Sequence, residues 1–189
     1  ASNAGWTPLN SASDSGHVDV VKSLLEKGAD VTVASNAGWT PLNSASDSGH
    51  VDVVKLLLEK GADVTVANNH GWTPLNSASG SGHVDVVKLL LEKGADVTVA
   101  DNDGWTPLNS SSDSGHVDVV KSLLEKGADV TVASNAGWTP LNLASDSGHV
   151  DVVKLLLEKG ADVTVANSFG RTSLWWARRR GHSEIVQVL

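Results

Sequence analysis

Residues 1–33 read ASNAGWTPLNSASDSGHVDVVKSLLEKGADVTV, and this stretch decides the fold because it recurs in phase along the whole chain. Near-identical copies fill residues 34–66, 67–99, 100–132 and 133–165, and a truncated copy fills residues 166–189. A fixed period of this length is the signature of structural repeats that stack on their neighbours. We therefore expect a single domain over residues 1–189, and we number positions within each repeat from the residue equivalent to Ala1.

The first part of each repeat predicts a short helix. Thr7 followed by Pro8 marks its start, because the threonine hydroxyl can cap free amides and a proline at the first helical position loses no hydrogen bond. Gly16 is expected to end this helix. The same three residue types recur at these positions in the four other full repeats.

The second part of each repeat predicts another helix, from about Val18 to Lys27, with Gly28 as its left-handed stop. Its apolar residues have helical spacing and form one broad stripe; in the first repeat they are Val20, Val21, Leu24 and Leu25. Neither helix is long enough to persist alone in water. Stacking on a neighbouring repeat is therefore required to bury the stripe.

The order G-W-T-P-L-N, then S-G-H-V-D-V-V-K, then L-L-E-K-G-A-D-V resembles the ankyrin repeat over all 189 residues. The resemblance implies an all-α solenoid of stacked helix-turn-helix units with short β-hairpin fingers, in which fingers and first helices form a concave face. Near-identical copies with Trp before Thr-Pro-Leu are most similar to the ankyrin arrays of fungal NACHT-type immune receptors. A consensus-designed ankyrin array would look similar.

The sequence departs from the family pattern at two places. Family members usually have His after Thr-Pro-Leu, whereas the full repeats of this chain have Asn, as at Asn10. Asn offers both a donor and an acceptor, so we expect the local hydrogen-bond network to survive. In the last repeat, Ser173 replaces Pro and Trp175 replaces Asn, and the resemblance is loosest there.

Composition and charge exclude several functions. The chain is 40% hydrophobic and 19% charged, which indicates a folded protein, and no apolar run approaches the roughly 18 residues of a membrane span. The net charge of −8 argues against nucleic acid as a partner. Cysteine is absent, which fits a reducing compartment, so we expect an intracellular, cytoplasmic protein. Without methionine, Ala1 is not a natural start, and we expect an excerpt of a longer chain.

No candidate chemistry points to an enzyme. Asp14-Ser15-Gly16-His17 resembles a nucleophile constellation, but it repeats along an open surface instead of converging in one pocket. We expect each histidine of this row to open a second helix, and we expect no metal or cofactor, because one histidine per repeat offers no cluster. The stretch 101–104, Asp-Asn-Asp-Gly, is interpreted as a finger turn, since its glycine comes too early for a calcium loop.

The tryptophans at position 6 carry two interpretations that the sequence leaves open. They should form a row with neighbours about 8–10 Å apart. By resemblance this position lies at the finger base on the concave face, and tryptophan is enriched in binding hot spots. Alternatively, each ring packs over its own finger and first helix.

The full repeats differ only at positions 2, 4, 11, 12, 14 and 23. By resemblance, positions 4 and 14 lie on the concave face and position 2 beside them, where the unusual residues are Asn68, His70, Gly80, Asp101 and Asp103. The candidate partner-binding residues are therefore Trp39, Trp72, Trp105, Trp138, Asn69, His70, Asn102, Asp103, Asp47, Asp113, Asp146, Arg171 and Arg179.

The last repeat is locally basic, with four arginines against Glu184. Its arginines are either a patch for an acidic partner or a cover for the end of the stack, with Arg179 next to Asp146. The leading hypothesis for the whole chain is a module that binds a protein or peptide through the concave face. The alternative is an architectural spacer or designed scaffold without a dedicated ligand. Uncapped ends also predict self-association.

Overall fold

The computed structural model describes residues 5–189, and each repeat in that range forms two helices. The first helices are α1 (Pro8–Asp14), α3 (Pro41–Asp47), α5 (Pro74–Gly80), α7 (Pro107–Ser114), α9 (Pro140–Ser147) and α11 (Ser173–Arg180). The second helices are α2 (Val18–Glu26), α4 (Val51–Glu59), α6 (Val84–Glu92), α8 (Val117–Glu125), α10 (Val150–Glu158) and α12 (Ser183–Val188). The all-α repeat fold implied by the resemblance is confirmed.

The first helices of the five full repeats begin where the Thr-Pro pairs predicted, and α11 begins at Ser173 after Thr172. In α3, the Thr40 hydroxyl accepts a hydrogen bond from the backbone N–H of Asn43, and the Asn43 side chain accepts one from the backbone N–H of Thr40. This reciprocal arrangement is a capping box, with Asn in the place that Glu or Gln usually takes. It also occurs in α1, α5, α7 and α9, so the expected survival of the network with Asn is confirmed.

Each second helix begins directly after a histidine, as predicted. His50 precedes α4, and its ring nitrogen Nε2 lies 2.9 Å from the backbone oxygen of Asp14 in the preceding repeat. Because a carbonyl oxygen only accepts, Nε2 must carry the proton. The ring closes over Gly16, whose φ of +68° and lack of a side chain leave the space that it needs.

The fingers are turns and contain no strand within residues 5–189, so the expected β-hairpins are not formed. In the finger that opens the second repeat, the backbone N–H of Ser35 donates to the carbonyl of Trp39 at 2.9 Å, and the backbone N–H of Gly38 donates to the carbonyl of Ser35 at 2.9 Å. This closes a tight turn over five residues. Too few residues lie between Ser35 and Trp39 for a ladder of paired strands.

Contacts divide the chain into two compact halves, residues 1–96 and residues 97–189. In the N-terminal half, α1 packs on α3 and α3 on α5, while α2 packs on α4 and α4 on α6. In the C-terminal half, the corresponding layers are α7, α9 and α11 and then α8, α10 and α12. Each half thus has a layer of first helices and a layer of second helices. That all six repeats form one domain stays a prediction.

The core lies between the layers and between successive repeats. Val53 and Leu57 of α4 are fully buried, and Leu42 of α3 is 1% exposed. Val20 holds the same position in the first repeat as Val53 in the second, yet it is 49% exposed, because no described repeat precedes it. Burying one such side chain is worth about 1.5–3 kcal/mol, so neighbouring repeats stabilise each other.

Candidate functional site

The finger base is held by the side chain at position 2. In the third repeat, Asn68 Oδ1 accepts from the backbone N–H groups of His70 at 2.9 Å and Trp72 at 3.1 Å. In the fourth repeat, Asp101 Oδ1 accepts in the same way from the N–H groups of Asp103 and Trp105. Position 2 therefore varies only among residues whose side chains can accept these bonds.

The structure gives position 2 a role that the comparison of repeats did not predict. Position 2 was expected beside the binding surface, yet Asn68 is only 4% exposed and its oxygen is occupied by its own turn. Ser35 holds the corresponding turn in the second repeat, where its hydroxyl accepts a hydrogen bond from the backbone N–H of Trp39 at 3.2 Å. The side chain at position 2 therefore holds the turn at the finger base.

Successive fingers are bonded to each other through position 3. Asn69 donates from its backbone N–H to the carbonyl of Ala37 and from Nδ2 to the carbonyl of Asn36, each at 3.0 Å. Asn135 makes the same two bonds to the carbonyls of Asp103 and Asn102. The polar groups of these finger residues therefore serve to join repeats, although the residues themselves are exposed.

The tryptophan backbone is fixed from the preceding repeat. Asn43 Nδ2 donates to the carbonyl of Trp72, and Asn109 Nδ2 donates to the carbonyl of Trp138, each at 3.2 Å. Both amides lie on first helices and are fully buried. The amide at position 10 thus caps its own helix with one end and holds the next tryptophan with the other.

An aromatic cluster forms on the fingers of the N-terminal half. The ring centroids of Trp39 and Trp72 lie 6.4 Å apart with the rings at 73°, an edge-to-face arrangement. The His70 ring lies 6.4 Å from Trp72. The two tryptophans are closer than the 8–10 Å expected for a row spaced by helix packing, because the rings tilt toward each other. Trp72 is 40% exposed, while Trp39 is less so. We call Trp39, His70 and Trp72 the aromatic cluster.

The row of aspartates at position 14 links neighbouring first helices. Ser81 donates from its hydroxyl to Asp47 Oδ1 at 3.1 Å, and Ser147 donates to Asp113 Oδ1 at 2.9 Å. Burial raises the pKa of Asp47, and the bond from Ser81 opposes that rise. In the described chain, Oδ2 of Asp47 makes no hydrogen bond, so this oxygen is available to a donor on a partner.

The last aspartate of the row has a different partner from the one expected. The sequence predicted Arg179 beside Asp146, but Arg180 makes the ion pair, with Nε 2.7 Å from Oδ1 and Nη2 3.0 Å from Oδ2. Arg180 occupies position 15, which in other repeats is a serine that bonds the preceding aspartate. Position 15, rather than position 14, faces the preceding repeat, and this is why the prediction was wrong.

The remaining predicted basic residues lie in the last repeat. The guanidinium of Arg171 lies 4.1 Å from the centroid of the Trp175 ring, which is a cation–π contact. Arg179 is exposed at the end of α11. Trp138 packs against Trp176 of the last repeat, with ring centroids 4.8 Å apart.

The histidine row is used for stacking. His83, His149 and His182 direct Nε2 to the carbonyl of position 14 in the preceding repeat at 2.8–3.0 Å, as His50 does. Across residues 5–189, no group of three or more His, Cys, Asp or Glu residues could hold a metal ion. No helix in the same range is long and apolar enough to cross a membrane.

Comparison with known families gives one match. A model described as ankyrin repeats in three copies matches the chain in overlapping windows at residues 1–68, 33–101, 65–134, 99–167 and 132–189. Together the windows cover the entire sequence. A search of curated proteins found no significant relative.

Proposed function

Because the chain belongs to the ankyrin repeat family, we propose that it binds another protein or a peptide through the aromatic cluster and the acidic residues of the adjoining first helices. Ankyrin repeats are generally protein–protein interaction modules. The observation that carries the proposal is the exposure of Trp72, 40% of whose surface is open although its backbone is fixed by Asn43 and Asn68.

A fixed backbone beneath an exposed ring favours binding. The turn and the preceding repeat already hold Trp72, so little main-chain freedom is lost when a partner binds. An exposed indole supplies a large apolar contact area, and tryptophan is frequent among residues that dominate binding energy. A ring that only filled space in its own repeat would not need so much open surface.

The partner's chemistry follows from the charge near this surface. The chain has a net charge of −8, and Asp47 keeps one carboxylate oxygen without a hydrogen bond in the described structure. Lysine or arginine side chains can pair with such a carboxylate and can also lie over an indole ring. We therefore propose a partner segment that combines basic and apolar side chains. Nucleic acid does not fit this surface, since it would bring further negative charge.

The proposal is tested with peptides selected from a display library on the full chain. The dissociation constant of each is measured for the wild type, for Trp72→Ala and for Val66→Ala, whose side chains are both 40% exposed in the N-terminal half. We expect Trp72→Ala to raise the dissociation constant of most selected peptides by about tenfold or more, and Val66→Ala to raise it by less than about twofold. Equal affinity of wild type and Trp72→Ala for all selected peptides would refute the proposal.

A second candidate function is an architectural spacer or designed scaffold without a dedicated ligand. It is favoured by the finger-to-finger bonds, since Asn69, Asn102 and Asp103 all use polar groups to join repeats. A spacer should yield no peptides above background in the same selection. The two candidates are therefore separated by one experiment.

Narrower proposals follow from the same features. The near-identity of the repeats supports an origin in a fungal NACHT-type receptor or in a consensus-designed array, which a search of fungal genomes for the coding sequence would distinguish. The absence of cysteine supports an intracellular, cytoplasmic location, testable by imaging the tagged protein in cells. The exposed Val20 supports self-association, testable by light scattering over a range of concentrations. We propose no catalytic role, and turnover by the isolated chain would contradict this.

A further inference from the structure

The last repeat presents an aromatic platform that the other repeats lack. Trp175 replaces the position-10 asparagine, and the Arg171 guanidinium lies 4.1 Å from its ring centroid. Trp176 meets Trp175 edge to face at 4.7 Å and packs on Trp138 of the preceding repeat at 4.8 Å. The Trp175 ring is thus held between the Arg171 guanidinium and Trp176, which itself packs on the preceding repeat, so it is a preformed surface.

Two further arginines follow the platform on the same helix. Arg178 and Arg179 follow Trp175 by three and four residues on α11, the spacings at which helical side chains are neighbours. Glu184, the one acidic residue in 166–189, pairs with Lys154 at 2.8 Å. None of the carboxylates in residues 5–189 forms an ion pair with Arg171, Arg178 or Arg179.

The side of the last repeat that carries Arg178 does not suit the packing of another standard repeat. Position 13 is a serine that is fully buried in every full repeat: Ser13, Ser46, Ser79, Ser112 and Ser145. In the last repeat, position 13 is Arg178, and it is exposed. A repeat packed here as the others pack would bury a guanidinium without a carboxylate, which is strongly unfavourable. The occupant must therefore bring negative charge with it.

An apolar anchor point lies on the finger of the same repeat. Phe169 is 67% exposed, the highest value among the large hydrophobic residues described. It is not on a loose segment, because Asn167 Oδ1 accepts from the backbone N–H groups of both Phe169 and Arg171. Phe169 and Arg171 are thus fixed two residues apart on one turn. We call Phe169, Arg171, Trp175, Arg178 and Arg179 the C-terminal cationic surface.

We propose that the C-terminal cationic surface binds an acidic peptide segment of another protein, one that carries an apolar side chain beside its carboxylates. Carboxylates match the planar fork of arginine and can be held by two hydrogen bonds each. The apolar side chain of the segment packs on Phe169 and the edge of Trp175. This site differs in charge and place from the aromatic cluster, so it does not depend on the function proposed above.

Charge also favours a peptide over a nucleic acid. A nucleic-acid strand brings a dense row of phosphates and needs an extended basic face. Here three arginines without an ion pair in the described residues form a local patch on a chain of net charge −8, and the Arg180–Asp146 pair lies directly beside it. A segment with a few carboxylates suits such a patch better than a polyanion.

The test uses the full chain and a short fluorescein-labelled peptide of glutamate and serine with one leucine, followed by fluorescence anisotropy. The matched probe replaces each glutamate with glutamine. Arg178→Gln/Arg179→Gln removes two exposed charges, and Lys22→Gln/Lys27→Gln removes two exposed charges elsewhere, as the control for net charge. Phe169→Ala tests the apolar anchor. Circular dichroism checks that each variant folds.

We expect the glutamate peptide to bind at least about tenfold more tightly than the glutamine peptide, and binding to weaken as salt is raised. The affinity for the glutamate peptide should fall about tenfold in the arginine double variant, about threefold or more in the Phe169 variant, and less than about twofold in the lysine control. Trp72→Ala should leave this affinity unchanged, which separates the site from the aromatic cluster.

Three results would overturn the proposal. One is the absence of glutamate-peptide binding at millimolar concentration. Another is an equal loss of affinity for this peptide in the arginine and lysine variants. The third is tighter binding of a single-stranded oligothymidylate than of the peptide, with loss in the arginine variant, which would assign the surface to nucleic acid instead.

Discussion

Replacing Asn43 with alanine should destabilise the chain by about 4 kcal/mol. The fully buried Asn43 side chain makes four hydrogen bonds. Its Oδ1 accepts from the backbone N–H of Thr40 at 3.1 Å and from the Thr40 hydroxyl at 2.6 Å. Its Nδ2 donates to the carbonyls of Val66 and Trp72, each at 3.2 Å. At about 1 kcal/mol net for each hydrogen bond, their loss gives the stated magnitude.

The assay is urea-induced unfolding of the wild type and the variant, followed by circular dichroism. Asn43→His is the matched control, because one ring nitrogen can accept from Thr40 while the other donates to the carbonyl of Trp72. We expect this variant to lose less than half as much stability as the alanine variant. A loss below about 1 kcal/mol for Asn43→Ala would refute the reasoning, as would equal losses for alanine and histidine.

Other substitutions test separate parts of the account. Ser46→Ala should stabilise the chain by about 1 kcal/mol in the same assay, because the buried Ser46 hydroxyl has no hydrogen-bond partner. Gly49→Ala should cost at least about 3 kcal/mol, since its new methyl group would collide with the histidine ring of the next repeat at a φ of +76°. Gly61 has a φ of +85° but open space around it, so Gly61→Ala should lower the free energy of unfolding by only about 1–2 kcal/mol. The backbone N–H and the hydroxyl of Thr131 donate hydrogen bonds to Asp129 and lower its pKa. The ionised Asp129 therefore stabilises the folded chain fully above the ordinary aspartate pKa, and this stabilisation is lost as the pH falls through the lowered pKa. An NMR titration should show the Asp129 pKa rising toward its ordinary value in Thr131→Ala.

The helices could be predicted from the sequence because each repeat carries its own start and stop signals. Thr-Pro pairs and glycines are local signals, and five near-identical copies in phase leave no doubt about their register. The predicted end of the second helix at Lys27 is one residue beyond the observed end at Glu26. The role of Asn10 was also predictable, since its donor and acceptor match those of the usual histidine.

The contacts of the finger residues and of the last arginines were predicted less well, because they depend on neighbouring repeats. That Asn69 binds a partner stays a prediction, and the sequence did not show that its backbone and side chain also join two fingers. Arg179 was expected next to Asp146, but the neighbouring position faces the preceding repeat. These relations depend on the rotation between first helices, which a sequence period does not specify.

One signal in the sequence could have identified the turn acceptor. Position 2 holds only Ser, Asn or Asp in all six repeats, whereas position 4 ranges from Ala to His, Asp and Phe. A position restricted to short side chains that accept hydrogen bonds indicates a turn. A position that varies in size, charge and polarity, as at His70 and Phe169, indicates an open surface.

The most direct test of the central claim is an NMR titration of the seven tryptophan indole N–H groups with the tightest peptide from the display selection. Each signal is assigned by a single Trp→Phe variant. Binding through the aromatic cluster predicts that the indole signals of Trp39 and Trp72 shift most and saturate with the measured dissociation constant. Shifts confined to other tryptophans, or no indole shift at saturation, would contradict it.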